Sequence, residues 1–163
     1  MRVTKQRAAE NRERVIEEAA RLFREKGFDG VGVAELMAAA GMTHGGFYNH
    51  FGSKTDVETA ALSLIFERAV GRIAGIAALP DAERARAFAA YCARYVSVEA
   101  RDATAATCPM IAFAGDVSRQ GEAVQEAYAE GLTAYLEAFV AASGLERAQA
   151  LREFATLVGA LTL

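Results

Sequence analysis

The sequence has little of several residue types, and each shortage excludes a class of protein. Its 163 residues include no tryptophan, 2 cysteines and 2 prolines. Two cysteines cannot build the disulfide framework of a small secreted domain, and the chain does not open on a charged, apolar and small-residue leader. No stretch approaches the ~20 uninterrupted apolar residues that a membrane helix needs. These shortages predict a cytoplasmic protein that is not inserted in a membrane.

The residue types that are abundant predict a packed, helical protein. Hydrophobic residues make up 53% of the chain and charged residues 24%, which is typical of a globular core and not of a disordered tail. Alanine, the strongest helix former, is abundant, and β-branched runs bounded by turn residues are missing. The length allows one domain, or a small domain fused to a medium one. We therefore expect an all-α fold.

The charge is distributed unevenly along the chain. The net charge of -3 argues weakly against a nucleic-acid binder, but residues 1–54 hold nine basic and seven acidic residues, a net of +2. The excess lies in the first fourteen residues, where five basic residues face two acidic ones. This segment suits a phosphate backbone, although a solvated, frayed terminus explains it equally well. The basic residues are Arg2, Lys5, Arg7, Arg12 and Arg14.

Apolar spacing in the first third of the chain predicts three helices. A helical stripe runs from about Thr4 to Lys26, and a short second one runs from Val33 to Gly41, a glycine suited to the left-handed residue that ends a helix. Thr43 is a candidate N-cap for a third helix of similar length. Two short helices joined by a glycine turn are the outline of a helix-turn-helix. The expected core positions are Val33, Leu36, Phe47 and Phe51.

The remaining two thirds predict a larger bundle of about five helices. The run Ser53-Lys54-Thr55-Asp56 has the pattern of a capping box and opens a long helix. Pro80 restarts the chain, residues 99–107 lack an apolar period and are a predicted loop, and Cys108-Pro109 opens a shorter helix. A long helix then ends at Gly144. The last stripe still runs at Leu163, so the chain either ends abruptly or is a shortened form of something longer.

The segment from Phe23 to Lys54 resembles the TetR family of bacterial transcriptional regulators. The resemblance rests on an Ala-Gly-x-Thr run at 40–43, a Tyr-x-His-Phe run at 48–51 and a lysine at 54, and it extends over roughly residues 10 to 65. It implies a helix-turn-helix DNA-binding domain in residues 1–52 and a helical ligand-binding and dimerisation domain in residues 53–163. It also implies a ligand-responsive regulator, most often a repressor, that binds near-palindromic double-stranded operator DNA as a homodimer and is released by a small apolar effector.

The same resemblance assigns DNA contacts to the third helix and its flanks. Residues 43–46 face the major groove, Tyr48 and Lys54 hold phosphates, and His50 lies near the DNA backbone. Since two glycines leave little direct readout by side chains, part of the specificity must come from Asn49, from Glu35 on the second helix or from DNA shape. The two glycines there cost ~1 kcal/mol each in a helix, which close approach of the backbone to DNA would explain. Gly32 departs from the family pattern and predicts a weak cap for the second helix. The candidate DNA contacts are Thr43, His44, Gly45, Gly46, Tyr48, Asn49, His50 and Lys54.

The C-terminal two thirds contain candidates for an effector pocket and for a sensor. Six side chains are candidates for an apolar pocket, and core packing explains each of them individually. Cys108 precedes a proline at a helix start, where backbone N–H groups favour a thiolate and hence a redox sensor; a small buried hydrophobe is the alternative. The pocket candidates are Phe66, Tyr91, Tyr95, Met110, Phe113 and Tyr128.

Other classes of function find less support. His44 and His50 lie six residues apart, off a common helical face, so no metal site is expected. No nucleophile and base are placed together and no phosphate-binding loop is present, so neither an enzyme nor a cofactor is expected. The second hypothesis is a helical small-molecule or redox-sensing protein without specific DNA binding. The weak cap at Gly32, the glycine-rich third helix and the abrupt end of the chain favour it.

Overall fold

The computed structural model describes residues 5–103 and 108–163, and all the regular structure in these ranges is helical. The all-α prediction is therefore confirmed. Arg2 and part of the predicted loop at 99–107 lie outside the described residues. The α-helices are α1 Lys5–Lys26, α2 Val33–Ala39, α3 Lys54–Ala77, α4 Asp81–Tyr95, α5 Val98–Asp102, α6 Pro109–Phe113, α7 Glu122–Ser143 and α8 Arg147–Thr162. Two 3-10 helices, His44–Asn49 and Val117–Arg119, complete the set.

The first three helical segments form the predicted three-helix unit. α1 ends at Gly27 and α2 is followed by Gly41, with φ angles of 72° and 70°, the left-handed backbone that glycine adopts most easily. The third segment, His44–Asn49, is called the recognition segment below. It is a 3-10 helix and not the α-helix that the spacing suggested, because two adjacent glycines weaken α-helix formation and 3-10 structure suits short pieces.

The core of this unit follows the apolar stripes. Leu36, Phe47 and Phe51 are buried as expected, whereas Val33 is only partly buried and packs against the cluster. The rings of Phe47 and Phe51 lie 5.6 Å apart in a stacked arrangement. This packing fixes the recognition segment against α1 and α2, so its outward side is presented on a rigid base.

α3 connects the three-helix unit to the bundle. The predicted capping box is confirmed at its start: Asp56 N–H donates to Ser53 Oγ over 3.2 Å, and Ser53 N–H donates to Asp56 Oδ2 over 3.2 Å. Farther along, α3 packs closely against α7, because Gly131 lets the ring of Phe66 approach the α7 backbone. A movement of α3 is thus shared with both the N-terminal unit and α7.

Part of the predicted loop at 99–107 is helical in the structure. Val98–Asp102 forms the short helix α5, so the prediction is wrong over 99–102. Spacing could not reveal it because α5 has no buried residue. Its start is fixed by Ser97, whose Oγ accepts the N–H of Ala100 over 3.2 Å.

The two last helices differ in how much of their surface the chain covers. α7 buries Val124, Tyr135 and Phe139 against its neighbours, and Phe154 of α8 packs on the last two rings at centroid distances of 5.5 and 5.1 Å. The exposed residues of α8 include Arg152 as well as the small residues Ala155, Gly159 and Ala160. The homodimer implied by the resemblance stays a prediction. Within the described residues, no helix is long and apolar enough to span a membrane.

Candidate DNA-binding surface and effector cavity

The recognition segment presents a row of exposed polar side chains and backbone at one end of the molecule. Phe47 is buried beneath it, with 1% of its surface exposed, whereas 72% of Tyr48 is exposed. Thr43 stands at the N-cap position, but its hydroxyl makes no capping hydrogen bond there. Gly46 and His50 are partly covered. The exposed members of the predicted DNA-contact set are Thr43, His44, Gly45, Tyr48 and Asn49.

The two glycines of the recognition segment are not required by packing inside the protein. A Cβ atom at Gly45 would meet no described atom within 4 Å, and one at Gly46 would meet Met37 Cε at 3.6 Å, an ordinary contact. Neither glycine has a positive φ. Since an alanine fits at both positions and would favour the helix, the protein's own structure gives no reason for glycine there.

The ammonium group of Lys54 makes contacts within the protein that were not predicted from the sequence. Its Nζ donates to the backbone oxygen of Phe28 over 2.7 Å and pairs with Glu58 Oε1 at 3.2 Å. It also lies 5.9 Å from the ring centroid of Phe23. Glu58 is buried, with 6% of its surface exposed. These contacts tie α3 to the turn after α1, and the spacing of residues 54 and 58 by one helical turn was the signal for this pair.

Basic residues of α1 lie beside the recognition segment. The guanidinium of Arg12 stands 4.9 Å from the ring centroid of Phe51. Lys5 is seven residues earlier, so it lies on nearly the same face of α1. Both side chains belong to exposed residues. Charge counting predicted the positive excess of this segment, but spacing along the chain could not show which surface it would flank.

A cavity of about 520 Å³ opens among the helices of the bundle. Its floor carries tyrosines, of which Tyr91 and Tyr135 hydrogen-bond each other through their hydroxyls. Its lining includes four arginines and one acid, Glu99. The arginines come from α1, α3 and α4, and are Arg24, Arg68, Arg72 and Arg94.

The six predicted pocket residues are not brought together. Tyr91 and Tyr95 line the cavity, whereas Met110 and Phe113 are core residues with 5% and 0% of their surface exposed. Phe66 lines a separate open groove between α3 and α7. The ring of Tyr128 packs on the ring of Phe66, with centroids 5.5 Å apart. The cavity therefore differs from the apolar pocket expected from the sequence. The arginines were not predicted from the sequence because a single arginine on a helix is usually a solvated surface residue. The spacing of Arg68 and Arg72, one turn apart on α3, was the available signal.

Cys108 also lines the cavity, but its thiol is not activated there. Burial raises the pKa of the thiol, and the backbone N–H groups of Met110 and Ile111, which lower it, have the smaller effect. The hydroxyl of Tyr95 lies against this thiol and is the largest single influence that lowers its pKa. Burial likewise raises the pKa of Cys92 to about 11. The helix-start argument for a thiolate is outweighed by desolvation. Among the described residues, no three His, Cys, Asp or Glu side chains form a group that could hold a metal ion.

One residue after α6 connects the bundle directly to the N-terminal unit. Asp116 Oδ2 accepts the backbone N–H of Phe28 over 3.0 Å, and its other oxygen pairs with Arg119 at 2.8 Å. The ring of Phe28 stacks on Phe113 of α6, with centroids 4.9 Å apart. Because α6 begins beside the cavity at Cys108, the cavity wall and the turn between α1 and α2 are joined through few contacts.

An N-terminal helix-turn-helix unit on a helical bundle is the architecture that the sequence resemblance implied. Residues 15–61 match the sequence model of the family described as bacterial regulatory proteins, tetR family. These residues lie in the helix-turn-helix unit and the start of α3, and the resemblance found in the sequence is confirmed.

Similar proteins of known sequence or structure fall in the same class. The HTH-type transcriptional regulator AcrR of Shigella flexneri is 41% identical over 56 residues, which are 34% of this chain and 26% of that protein. The structure of Escherichia coli NemR in its reduced form superposes with a TM-score of 0.81 and 22% identity, covering 94% of this chain and 86% of that one. The structure of AibR in complex with isovaleryl coenzyme A and operator DNA superposes with a TM-score of 0.60 and 16% identity, and the match covers 91% of this chain and 84% of that one.

These comparisons bear differently on the two parts of the chain. The family model matches residues 15–61, which end within α3, and the match to AcrR spans about a quarter of that protein. The structural matches extend over both parts, but at these identities they show the fold alone. The family matches point to a transcriptional regulator and not to an enzyme.

Proposed function

We propose that this protein is a ligand-responsive transcriptional regulator that acts as a repressor. It binds a near-palindromic operator as a homodimer and leaves the DNA when a small molecule enters the bundle. The observation that carries the proposal is the recognition segment: exposed polar side chains and two glycines without an internal role, presented on a buried aromatic base. A cytoplasmic location is part of the proposal, since the DNA is there.

The contacts to DNA divide into two kinds. Thr43, His44 and the backbone at Gly45 and Gly46 enter the major groove, where a helix can read base edges. Tyr48 donates its exposed hydroxyl to a phosphate, and the basic face of α1 adds attraction that does not depend on sequence. Lys54 contributes mainly by holding α3 to the turn at Phe28. His50 and Asn49 complete the surface.

The effector acts through the elements that surround the cavity. AibR, which has the same fold, is known in complex with both a coenzyme A derivative and operator DNA, and this supports a small-molecule partner for the present chain. α1 of the N-terminal unit contributes Arg24 to the cavity wall, and the wall also reaches this unit through α3 and through the contact of Asp116 with Phe28. A ligand that shifts any of these elements changes the position of the recognition segment, and DNA in turn weakens ligand binding. The aromatic floor accepts the apolar body of such an effector.

The proposal is tested by fluorescence anisotropy with short duplexes from the DNA flanking the protein's own gene. A dimer that contacts ~6–10 phosphates should lose about 10³–10⁵ in affinity between 50 and 200 mM salt. We expect one fragment to bind far more tightly than the others and with this salt dependence. Analytical ultracentrifugation of the same complex should give two protein chains per duplex.

A matched pair of variants separates the DNA contact from a general effect. Tyr48→Phe should weaken binding to every fragment about tenfold, whereas Tyr128→Phe, which removes the same hydroxyl inside the bundle, should not. Substitution of His44 or Asn49 should instead change the preference among fragments. Equal, salt-insensitive binding to all fragments would favour a helical small-molecule or redox-sensing protein without specific DNA binding.

A further inference from the structure

The cavity in the bundle has an excess of positive charge at its mouth. Of the four arginines that line it, Arg68 is paired with Glu17, whose Oε2 accepts from Arg68 Nη1 over 2.8 Å. Arg72 makes no ion pair or hydrogen bond with another described residue. Arg94 lies 6.0 Å from the ring centroid of Tyr91. The cationic groups are thus only partly balanced within the described residues.

The single acid in the lining does not remove this excess. Glu99 stands at the first turn of α5, where a backbone N–H and the Ser97 hydroxyl lower its pKa. Its carboxylate is therefore ionised and is used at the start of its own helix. One negative charge against Arg72 and Arg94 leaves a net positive lining.

The arginines of α1 and α3 repel each other across the cavity. The pKa of Arg24 is lowered first by burial and then by the positive charges of Arg72 and Arg68. An arginine nevertheless stays protonated in proteins, so the repulsion persists in the empty cavity. An anion between these side chains would relieve it, and guanidinium groups bind carboxylate and phosphate in paired, charge-assisted hydrogen bonds.

The hydroxyl of Tyr95, on the floor of the cavity, has no hydrogen bond to a nitrogen or oxygen of the described residues. Tyr95 is buried, with 8% of its surface exposed, and it lines the cavity. The hydroxyl lies against the Cys108 thiol. Buried hydroxyls are almost always hydrogen-bonded, so this group points to an occupant of the cavity.

We propose that the cavity is a binding site for an organic anion, whose carboxylate or phosphate is held by the arginines and whose apolar body lies on the tyrosines. The volume of about 520 Å³ is that of a small-molecule site. Because Arg24 belongs to α1 and Arg72 to α3, the acid group contacts the N-terminal unit and the connecting helix together. That the anion is the effector rests on the proposed function; that the cavity binds it does not.

Three probes with one aromatic body test the ligand class by isothermal titration calorimetry. 2-Naphthoate and 2-naphthyl phosphate carry the two acids, and methyl 2-naphthoate carries no charge. At least one acid should bind ten times or more tightly than the ester, and which acid is preferred distinguishes carboxylates from phosphates. Arg72→Gln should weaken binding of that acid about tenfold. Arg86→Gln, which removes the same charge from exposed α4 surface outside the cavity, should change it less than twofold.

Several outcomes would overturn this inference. These are equal binding of ester and acids, equal effects of the two arginine variants, or no heat from either acid up to millimolar concentration. Circular dichroism melting checks that the variants are folded. Anisotropy with operator DNA separates the two proposals: an acid that binds through Arg72 without weakening the DNA complex leaves the anion site standing and contradicts its effector role. Intact DNA binding with no binding of either acid contradicts the anion site and leaves the proposed regulator standing.

Discussion

Gly45 is a residue at which folding and binding make different demands. No described atom lies within 4 Å of a Cβ built there, and its φ is not positive. Gly45→Ala should therefore stabilise the protein by about 0.4–1 kcal/mol, because it restricts the unfolded chain. If the backbone at Gly45 approaches the DNA, the added methyl group should weaken operator binding about tenfold. Urea denaturation and anisotropy measure the two effects on the same sample.

Gly71 supplies the control for this substitution. It also has open space around a Cβ, but it lies in α3 away from the recognition segment. Gly71→Ala should give the same stabilisation with unchanged affinity for DNA. Unchanged affinity in Gly45→Ala as well would show that close approach at residue 45 is not needed.

The structural role of Lys54 can be separated from its predicted contact with a DNA phosphate. Lys54→Met leaves the Phe28 oxygen and the buried Glu58 carboxylate without their cation. The loss should be about 1–3 kcal/mol of unfolding free energy, since an unpaired buried acceptor pays its desolvation cost. The double variant Lys54→Met, Glu58→Gln should recover part of this. Denaturation curves test the stability, and any affinity deficit for DNA that remains in the double variant reports a phosphate contact.

The thiol of Cys108 should react slowly at neutral pH. Its pKa is raised by burial, so the protonated, unreactive form dominates at pH 7 and the thiolate appears only as the pH rises above the usual range of a thiol. Alkylation by iodoacetamide at pH 7.5 should be slower than that of a free cysteine peptide. Mass spectrometry on the Cys92→Ser variant isolates Cys108. Faster alkylation than the peptide would restore the redox-sensor interpretation.

The packing of α3 on α7 depends on a glycine. A Cβ at Gly131 would stand 2.3 Å from two atoms of the Phe66 ring and 2.8 Å from Phe66 Cβ. Gly131→Ala should therefore destabilise the protein by about 1–3 kcal/mol through overpacking, even though alanine is the better helix former. Thermal melting compares it with Gly71→Ala, which should move the midpoint upward. Equal midpoints for the two variants would mean that the helices separate at no cost.

The elements that the sequence predicted correctly have local signals. Helix ends at Gly27, Gly41 and Gly144 require a left-handed residue, and all three glycines have positive φ. The capping box at Ser53 is likewise a pattern within four residues. α5 was missed because a five-residue helix with no buried side has no apolar period. The recognition segment was placed correctly but given the wrong helix type.

The cavity could be predicted from the sequence only in part, because it is made by residues far apart along the chain. Tyr91 and Tyr95 were identified as candidates and do line it. Arg24 of α1 and Arg72 of α3 are 48 positions apart in the sequence. Periodicity places each of them on a helix but does not show that both line the same cavity. Large apolar residues also fill cores, and Met110 and Phe113 are buried there instead of lining the cavity.

Across the whole molecule, the turn at Phe28 is where the bundle and the N-terminal unit meet. Its N–H donates to Asp116, its carbonyl accepts from Lys54, and its ring stacks on Phe113. The two partners of its backbone come from different parts of the chain, one beyond α6 and one at the start of α3. A change in the cavity wall therefore reaches this turn from both sides.

Asp116→Ala tests this connection. Without the carboxylate, the amide of Phe28 loses its acceptor, and a partly buried N–H left unpaired costs about 1–3 kcal/mol. Hydrogen exchange should show faster exchange at the amide of Phe28, while the interior of α7 keeps its protection. Asp102→Ala provides the control, because this exposed aspartate pairs only with its neighbour Arg101 among the described residues. Unchanged protection at Phe28 in Asp116→Ala would show that the Asp116 contact does not hold this turn to the cavity wall.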